Sequence, residues 1–243
     1  GTAGPLSVAR GRGLWGVRPG GGAGATLPTL ARSLHTQPSP FQLSPLALSS
    51  DADVENNLTV AITSDKGLCG GINSAVAKYS RATAAAEAAG GEGKKSTYVV
   101  VGEKGRAQLG RGASAGAITA TVADCGKVRI TFPQISAVAG LLLKTEYDAA
   151  RVIFNRFCSA ISYKPTIATV LSSDTLEKAA EAGGSLDAYE VEGPDRAELL
   201  HDLSELHLAA QLYNAVLESN VSEQAARMAA MESSTKNASE ILS

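Results

Sequence analysis

Between residues 58 and 171, short runs of apolar residues alternate with longer stretches in which apolar positions return every three or four residues. Leu58–Thr63 (LTVAIT) is continuously apolar, as expected of a parallel strand covered on both faces. It leads through Ser64-Asp65-Lys66-Gly67-Leu68-Cys69-Gly70-Gly71 into a predicted helix from Ile72 to Ala89, stopped by Gly90 and Gly91. Thr97–Val101 reads as a second strand running into Gly102-Glu103-Lys104-Gly105, and Ala117–Val122 as a weaker third. A helix is expected over Pro133–Tyr147, with Pro133 suited to its first turn. Arg151–Ser162 and Thr166–Leu171 are rich in β-branched residues and are expected to pair across a Tyr163-Lys164-Pro165 turn. This order predicts an α/β fold over residues 51–193: a three-layer, Rossmann-like domain whose mostly parallel sheet is edged by a hairpin.

Residues 194–243 follow a different rule. Asp195 and Glu198 make a helix-starting box behind Pro194. Leu199, Leu203, Leu206, Ala210, Tyr213 and Leu217 then recur at 4-3-4-3-4 spacing, which predicts a long C-terminal coiled-coil helix. Past Asn220 the apolar positions become Val221, Ala225, Met228, Met231, Thr235, Ala238 and Leu242. Glu223–Arg227 and Glu232–Lys236 stand four apart in the favourable orientation. Unbroken, the helix would extend ~70 Å at about 1.5 Å per residue. Asn220-Val221-Ser222 is poor helix sequence and invites a bend. An ordinary helix packed on its own sheet accounts for the Leu-rich first half but not for the Ala- and Met-rich second half. The candidate interaction seam is therefore Glu223, Ala225, Arg227, Met228, Met231 and Asn237.

Composition separates off the first fifty residues. The 243-residue chain carries a net charge of −2, yet residues 1–50 hold four arginines and no acid or lysine, leaving +4 there and −6 on the rest. Six of the nine prolines and nine of the 25 glycines also fall there. Arginine without acid, and no continuous apolar core segment, is the pattern of a mitochondrial or plastid transit peptide with maturation near Ser33–Gln37, the alternative being a disordered basic leader. An acidic remainder disfavours a nucleic-acid partner. No apolar run reaches the ~18–20 residues needed to span a bilayer. Cys69, Cys125 and Cys158 are odd in number and widely spaced, which fits a reducing compartment.

The turn before the first helix is where chemistry would be sought, so Asp65, Lys66, Gly67, Cys69, Gly70 and Gly71 are candidate residues. Their spacing matches neither Gly-x-Gly-x-x-Gly nor the phosphate-binding Gly-x-x-x-x-Gly-Lys-[Ser/Thr] loop. A tight strand-to-helix turn is the simpler reading. Cys69 near a helix start could be an activated thiolate, but a nucleophile needs a base, and His201 and His207 lie far along the chain. His201 and His207 are six apart and lack the His-Glu-x-x-His zinc spacing. No catalytic, metal-binding or cofactor-binding residue is expected.

Four motifs in order carry a resemblance. Ser64–Asn73 (SDKGLCGGIN) after an apolar strand is similar to the gamma subunits of F-type ATP synthases, and Ser222–Glu232 (SEQAARMAAME), continued by Thr235–Ala238, resembles their C-terminal signature. Val100–Arg106 and Ile153–Phe157 with Ile161–Pro165 fall between as the family has them. The resemblance implies a non-catalytic rotor subunit of the central stalk, which binds no nucleotide or cofactor itself. Its helices would reach as an antiparallel coiled coil among the alpha and beta subunits of the catalytic head. The α/β domain would meet delta and epsilon stalk subunits and the membrane ring of proton-carrying subunits. The mitochondrial form is favoured over the plastid one, whose inserted cysteine pair is absent, placing the chain on the matrix side of the inner membrane. The family also leads one to expect a Lys-, Met- and Ala-rich helix before the first strand and further turns after Ser243; residues 37–57 have no such pattern. Two alternatives stay open: a truncated paralogue acting as a non-rotary interaction module, and a small α/β ligand-binding enzyme using the Asp65–Gly71 turn.

Overall fold

The computed structural model of the chain describes residues 54–89, 94–111, 116–126, 129–181, 192–193 and 195–242. The leader expected at 1–50 lies outside the described residues. Among the described residues ten elements follow in order: β1 Asn56–Ile62, α1 Ile72–Ala89, β2 Lys95–Val101, α2 Glu103–Leu109, β3 Ile118–Val122, α3 Phe132–Leu142, β4 Ala149–Ser159, β5 Ser162–Leu171, α4 Ser173–Glu181 and α5 Arg196–Leu242.

The strands form one sheet in the order β3-β2-β1-β4-β5. β1 is parallel to both β2 and β4, and β2 to β3, while β4 and β5 are antiparallel. The chain thus builds outward from β1 to β3, crosses back over β1, and continues on its other side. Leu58, Val60 and Ile62 of β1 pack with Ile135, Ala139 and Leu142 of α3 and with Leu208 and Leu212 of α5. Ala61, Val100 and Ile153 pack on the opposite face with Val76 and Ala77 of α1 and Leu109 of α2. Coverage on both faces is why β1 is continuously apolar rather than alternating. Each fully buried Leu, Ile or Val here contributes about 1.5–3 kcal/mol. A buried ion pair anchors the end of α1: Glu87 Oε1 lies 2.6 Å from Arg151 Nε, and Ser96 Oγ donates to Glu87 Oε2 at 3.1 Å.

Four local expectations are corrected. The β4–β5 turn falls at Ala160-Ile161 rather than Tyr163–Pro165, and Pro165 sits within β5 opposite Asn155. Asn155 aims its own N–H and C=O away from β5, at Ser219 and Ser222. The paired Pro165 therefore faces the open edge, where a missing N–H breaks no ladder bond. Helix α3 stops at Leu142, not Tyr147, because the chain must turn to bring Asp148 to β1, where its Oδ2 accepts the Glu55 and Asn56 N–H groups at 3.0 and 2.8 Å. Helices α2 and α4 were not expected. Helix α5 runs unbroken through Asn220–Ser222, because Ser222 is buried and its hydroxyl is spent on β4.

Candidate functional site

Two glycine-containing turns meet at the carboxyl ends of β1 and β2. Thr63 Oγ1 donates to Val101 O at 2.8 Å and accepts Gly105 N–H at 3.0 Å. Ser64 O accepts Lys104 N–H at 3.1 Å, and Asp65 Oδ1 accepts Glu103 N–H at 3.1 Å. This close approach excludes side chains: a Cβ on Gly102 would lie 2.4 Å from Thr63 O, and one on Gly105 2.4 Å from Thr63 Oγ1. Gly102 also has φ +102°, a left-handed conformation that only glycine adopts without strain.

Asn73 organises the Asp65–Gly71 turn. Its Oδ1 accepts Ser64 N–H at 2.9 Å, and its Nδ2 donates to Ser64 Oγ at 2.8 Å and to Cys69 Sγ at 3.3 Å. Cys69 is thereby buried and held by its neighbours. Lys66, Gly67, Gly70 and Gly71 are exposed, Asp65 half-buried. Leu68 projects outward, 79% exposed, on a backbone with φ +60°. His201 pairs with Glu205 at 3.3 Å and His207 faces Gln211 at 3.4 Å, so both engage their own helix. Half-burial with Asp65 and Asp124 nearby raises the Cys125 thiol above its ordinary range. Among the described residues no group of three or more His, Cys, Asp or Glu could hold a metal ion.

The crevice where the order reverses, between β1 and β4 at their carboxyl ends, is the place where open α/β sheets receive ligands. Here α5 fills it. Ser64, Asn73, Asn155, Ser219, Asn220 and Glu223 line what remains, about 30 Å³, room for a solvent molecule rather than a nucleotide. β1 pairs with β4 only as far as Ile153, so the next part of β4 has an open edge on that side. Three side chains of α5 stand where a strand would continue. Ser219 Oγ accepts Asn155 N–H at 3.3 Å, Ser222 Oγ donates to Asn155 O at 3.0 Å, and Glu218 Oε2 accepts Phe157 N–H at 2.8 Å. The base of α5 is thus bonded into the sheet.

Along α5 the face against the body includes Leu200, Ser204, Leu208, Leu212, Ala215, Val216, Ser222 and Ala225; among the described residues none beyond Ala225 is buried. The expected seam lies roughly opposite at 3.6 residues per turn. Leu199, Leu203, Leu206 and Leu217 are 38–59% exposed, and Val221, Met228 and Met231 50–63%. Tyr213 departs from that stripe by stacking edge-on against Phe132 of α3, centroids 5.7 Å apart. Of the candidate seam, Ala225 faces the body, Met228 and Met231 face outward, and Asn237 is exposed. Glu223 and Arg227 form a half-buried ion pair. Exposed apolar stripes of this length mark interaction surfaces.

The two candidate groups meet in a second cavity, about 190 Å³, lined by Cys69, Gly70 and Gly71, by the hairpin from Ser159 to Tyr163, and by Ala225, Ala226, Ala229 and Ala230. Partial burial raises the Tyr163 phenol there, with Cys69 adding to the effect. The residues that sequence reasoning missed are Asn73, Asn155, Ser219 and Ser222. Asn73 followed the glycine turn at a helix start, which is a usable signal; the others are joined only by the fold.

The profile of the family described as ATP synthase matches residues 24–243. The mitochondrial ATP synthase subunit gamma of Ipomoea batatas is 44% identical over 195 residues, covering 78% of this chain and 59% of that relative. The chain thus spans about three fifths of the relative's length. Among solved structures, a chain of the Tetrahymena thermophila mitochondrial ATP synthase central stalk and c-ring matches with TM-score 0.61 and 26% identity, over 85% of this chain and 81% of that one. A chain of the Euglena gracilis mitochondrial ATP synthase shares the fold with TM-score 0.67 at 22% identity, over 83% and 70%.

Proposed function

The chain belongs to the ATP synthase gamma family, and from that premise we propose that it is a rotor component of the central stalk of a mitochondrial ATP synthase. It couples proton flow through the membrane ring to ATP synthesis in the catalytic head without performing catalysis itself. Residues 1–50 serve as the transit leader, 51–193 as the stalk body and 194–243 as part of the shaft. The work is mechanical, done on the matrix side of the inner membrane, and the partners are the alpha and beta subunits, the delta and epsilon stalk subunits and the ring.

The observation that supports this reading is the outer stripe of α5. Leu199, Leu203, Leu206, Leu217, Val221, Met228 and Met231 stay exposed although the helix is fixed to the sheet by its other face. A shaft needs one face to receive torque from the body and one to meet a partner helix in a coiled coil. The seam residues Glu223, Ala225, Arg227, Met228, Met231 and Asn237 belong to that shaft. Asp65, Lys66, Gly67, Cys69, Gly70 and Gly71 form the structural turn beside its base.

Purified mitochondrial ATP synthase is expected to contain this chain, with a Met231→Cys variant crosslinking to another helix of the stalk or head. Absence of the chain from the intact complex overturns the proposal. Replacement of the resident gamma subunit by this chain tests rotation separately, with restored ATP synthesis as the expected outcome.

A further inference from the structure

We infer that Glu218 sets the rotational position of α5 on the sheet. It is a positioning residue: its carboxylate stands in for a missing strand beside β4 and keeps the helix from rolling where it leaves the body.

β4 outruns its parallel partner. The last paired residues of β1 and β4 are Ala61 and Ile153, whereas β4 continues to Ser159 beside β5. Backbone groups of β4 that face the vacated side are met by α5. Asn155 uses two serine hydroxyls, Ser219 at 3.3 Å and Ser222 at 3.0 Å, and Phe157 N–H donates to Glu218 Oε2 at 2.8 Å. The Glu218 bond is the shortest of the three and ends on a carboxylate, which strengthens it. The longer side chain also carries it further from the helix axis than either hydroxyl. A bond at greater radius opposes rotation with a longer lever arm.

Apolar packing does not supply that resistance. Leu208, Leu212, Ala215 and Val216 pack into the core with β1, α3 and β4, but such contacts have no preferred direction, so a small roll costs little. A hydrogen bond weakens steeply once its angle falls below about 120°. Past Val216 the buried residues of α5, among those described, are Ser222 and Ala225, so polar bonds set the orientation there. Glu218 is half-buried and Phe157 is 36% exposed, so solvent can satisfy either group when the other is gone. Removing the carboxylate therefore takes away direction and leaves stability nearly unchanged. On the shaft reading above, which this inference extends, twist passes from body to helix at that bond.

The test uses the full chain with its native cysteines replaced and spin labels at Lys78→Cys on α1 and Met228→Cys on α5, both exposed positions. Pulsed electron paramagnetic resonance reads the spread of distances between them. The wild type is expected to give one narrow distribution. Glu218→Ala, and Glu218→Ser, which is too short to reach Phe157, should widen it about twofold at unchanged Tm. Glu218→Gln keeps a carbonyl acceptor and should restore the narrow spread. Glu232→Ala, which removes a carboxylate bonded to Lys236 of the same helix, should leave the spread unchanged. Equal widths for wild type and Glu218→Ala overturn the inference, as does a glutamine variant as broad as alanine, or a fall in Tm with no change in width. Absence of the chain from the synthase overturns the shaft reading alone, because the spread is measured on the chain itself.

Discussion

Removing the Ser222 hydroxyl tests whether α5 is locked to the body where the fold indicates. Ser222 is fully buried, and its Oγ donates to Asn155 O at 3.0 Å. In Ser222→Ala that carbonyl loses its donor in the interior, a cost of about 1–3 kcal/mol. Alanine returns about 0.5 kcal/mol because it is the better helix former. The net loss is therefore about 0.5–2.5 kcal/mol, and its middle value of about 1.5 kcal/mol corresponds to a fall in Tm of roughly 3–6 °C for a chain of this size. Ser234→Ala is the matched control. Ser234 Oγ donates to Ala230 O at 2.9 Å, but on an exposed turn of the same helix, so its removal should leave Tm unchanged or slightly raised. Thermal unfolding of the two purified variants reads the difference, and hydrogen exchange locates it. Protection should fall in β4 around Asn155–Phe157 and in α5 around Ser219–Ser222, not in β2 or α1. Equal Tm values for the two variants, or loss spread evenly over the sheet, would refute the reasoning.

Gly105→Ala should destabilise by about 2–4 kcal/mol, since overpacking displaces Thr63 from its bonds to Val101 and Gly105; a chemical-denaturation midpoint equal to wild type would contradict the turn-to-turn contact. The three cysteines should react with a neutral thiol reagent in the order Cys158, Cys125, Cys69: exposed, half-buried with its thiol pKa raised, and buried. Mass spectrometry of the modified chain checks this, and early labelling of Cys69 would contradict its placement. Burial lowers the His207 pKa from its ordinary 6.5. The unfolded chain then takes up the proton more readily than the folded one, so stability should fall as pH drops below about 6.5 and level off below the lowered folded value. His207→Gln should flatten that part of the stability-against-pH curve, and an unchanged slope would count against the burial.

The alternation of strands and helices and the covering of both sheet faces were readable because they rest on apolar runs, whereas the order of the strands within the sheet was not. Leu58–Thr63 carries no charged position and is mostly apolar, which suits a strand with helices on both sides. The hairpin turn was misread because Lys164-Pro165 has turn chemistry. Whether a proline is tolerable depends on which way its backbone faces, and that is decided by Asn155 across the ladder. Helix α2 is seven residues long with Gly105 inside it, so no periodicity could announce it. The polar joint was illegible for another reason. Asn155 meets Ser219 and Ser222 across 64 and 67 positions of chain, and only the topology that lays α5 along the open edge of β4 creates a need for those hydroxyls.

The seam on α5 was readable as a periodicity, but its direction was not, and the direction carries the mechanics. Toward the body the large buried side chains Leu200, Leu208, Leu212 and Val216 give way to Ser222 and Ala225, and among the described residues none beyond Ala225 is buried. The remaining seventeen residues, Ala226–Leu242, run on for about 25 Å. On the outer face exposed large residues occur on both sides of that boundary, Leu199, Leu203, Leu206, Leu217 and Val221 before it and Met228 and Met231 beyond it. A partner that touched only the free end would leave Leu199, Leu203 and Leu206 without a purpose. One that touched only the body would leave Met228 and Met231 equally idle. A single extended partner lying along the whole stripe accounts for both, and each half-exposed Leu or Met it covered would contribute about 1 kcal/mol. Such a partner would splice the outer turns to the fixed ones, so a twist applied at the body would pass Ala225 through two helices instead of one. The bonds of Ser219, Ser222 and Glu218 to β4 would then carry the load where the helix leaves the sheet.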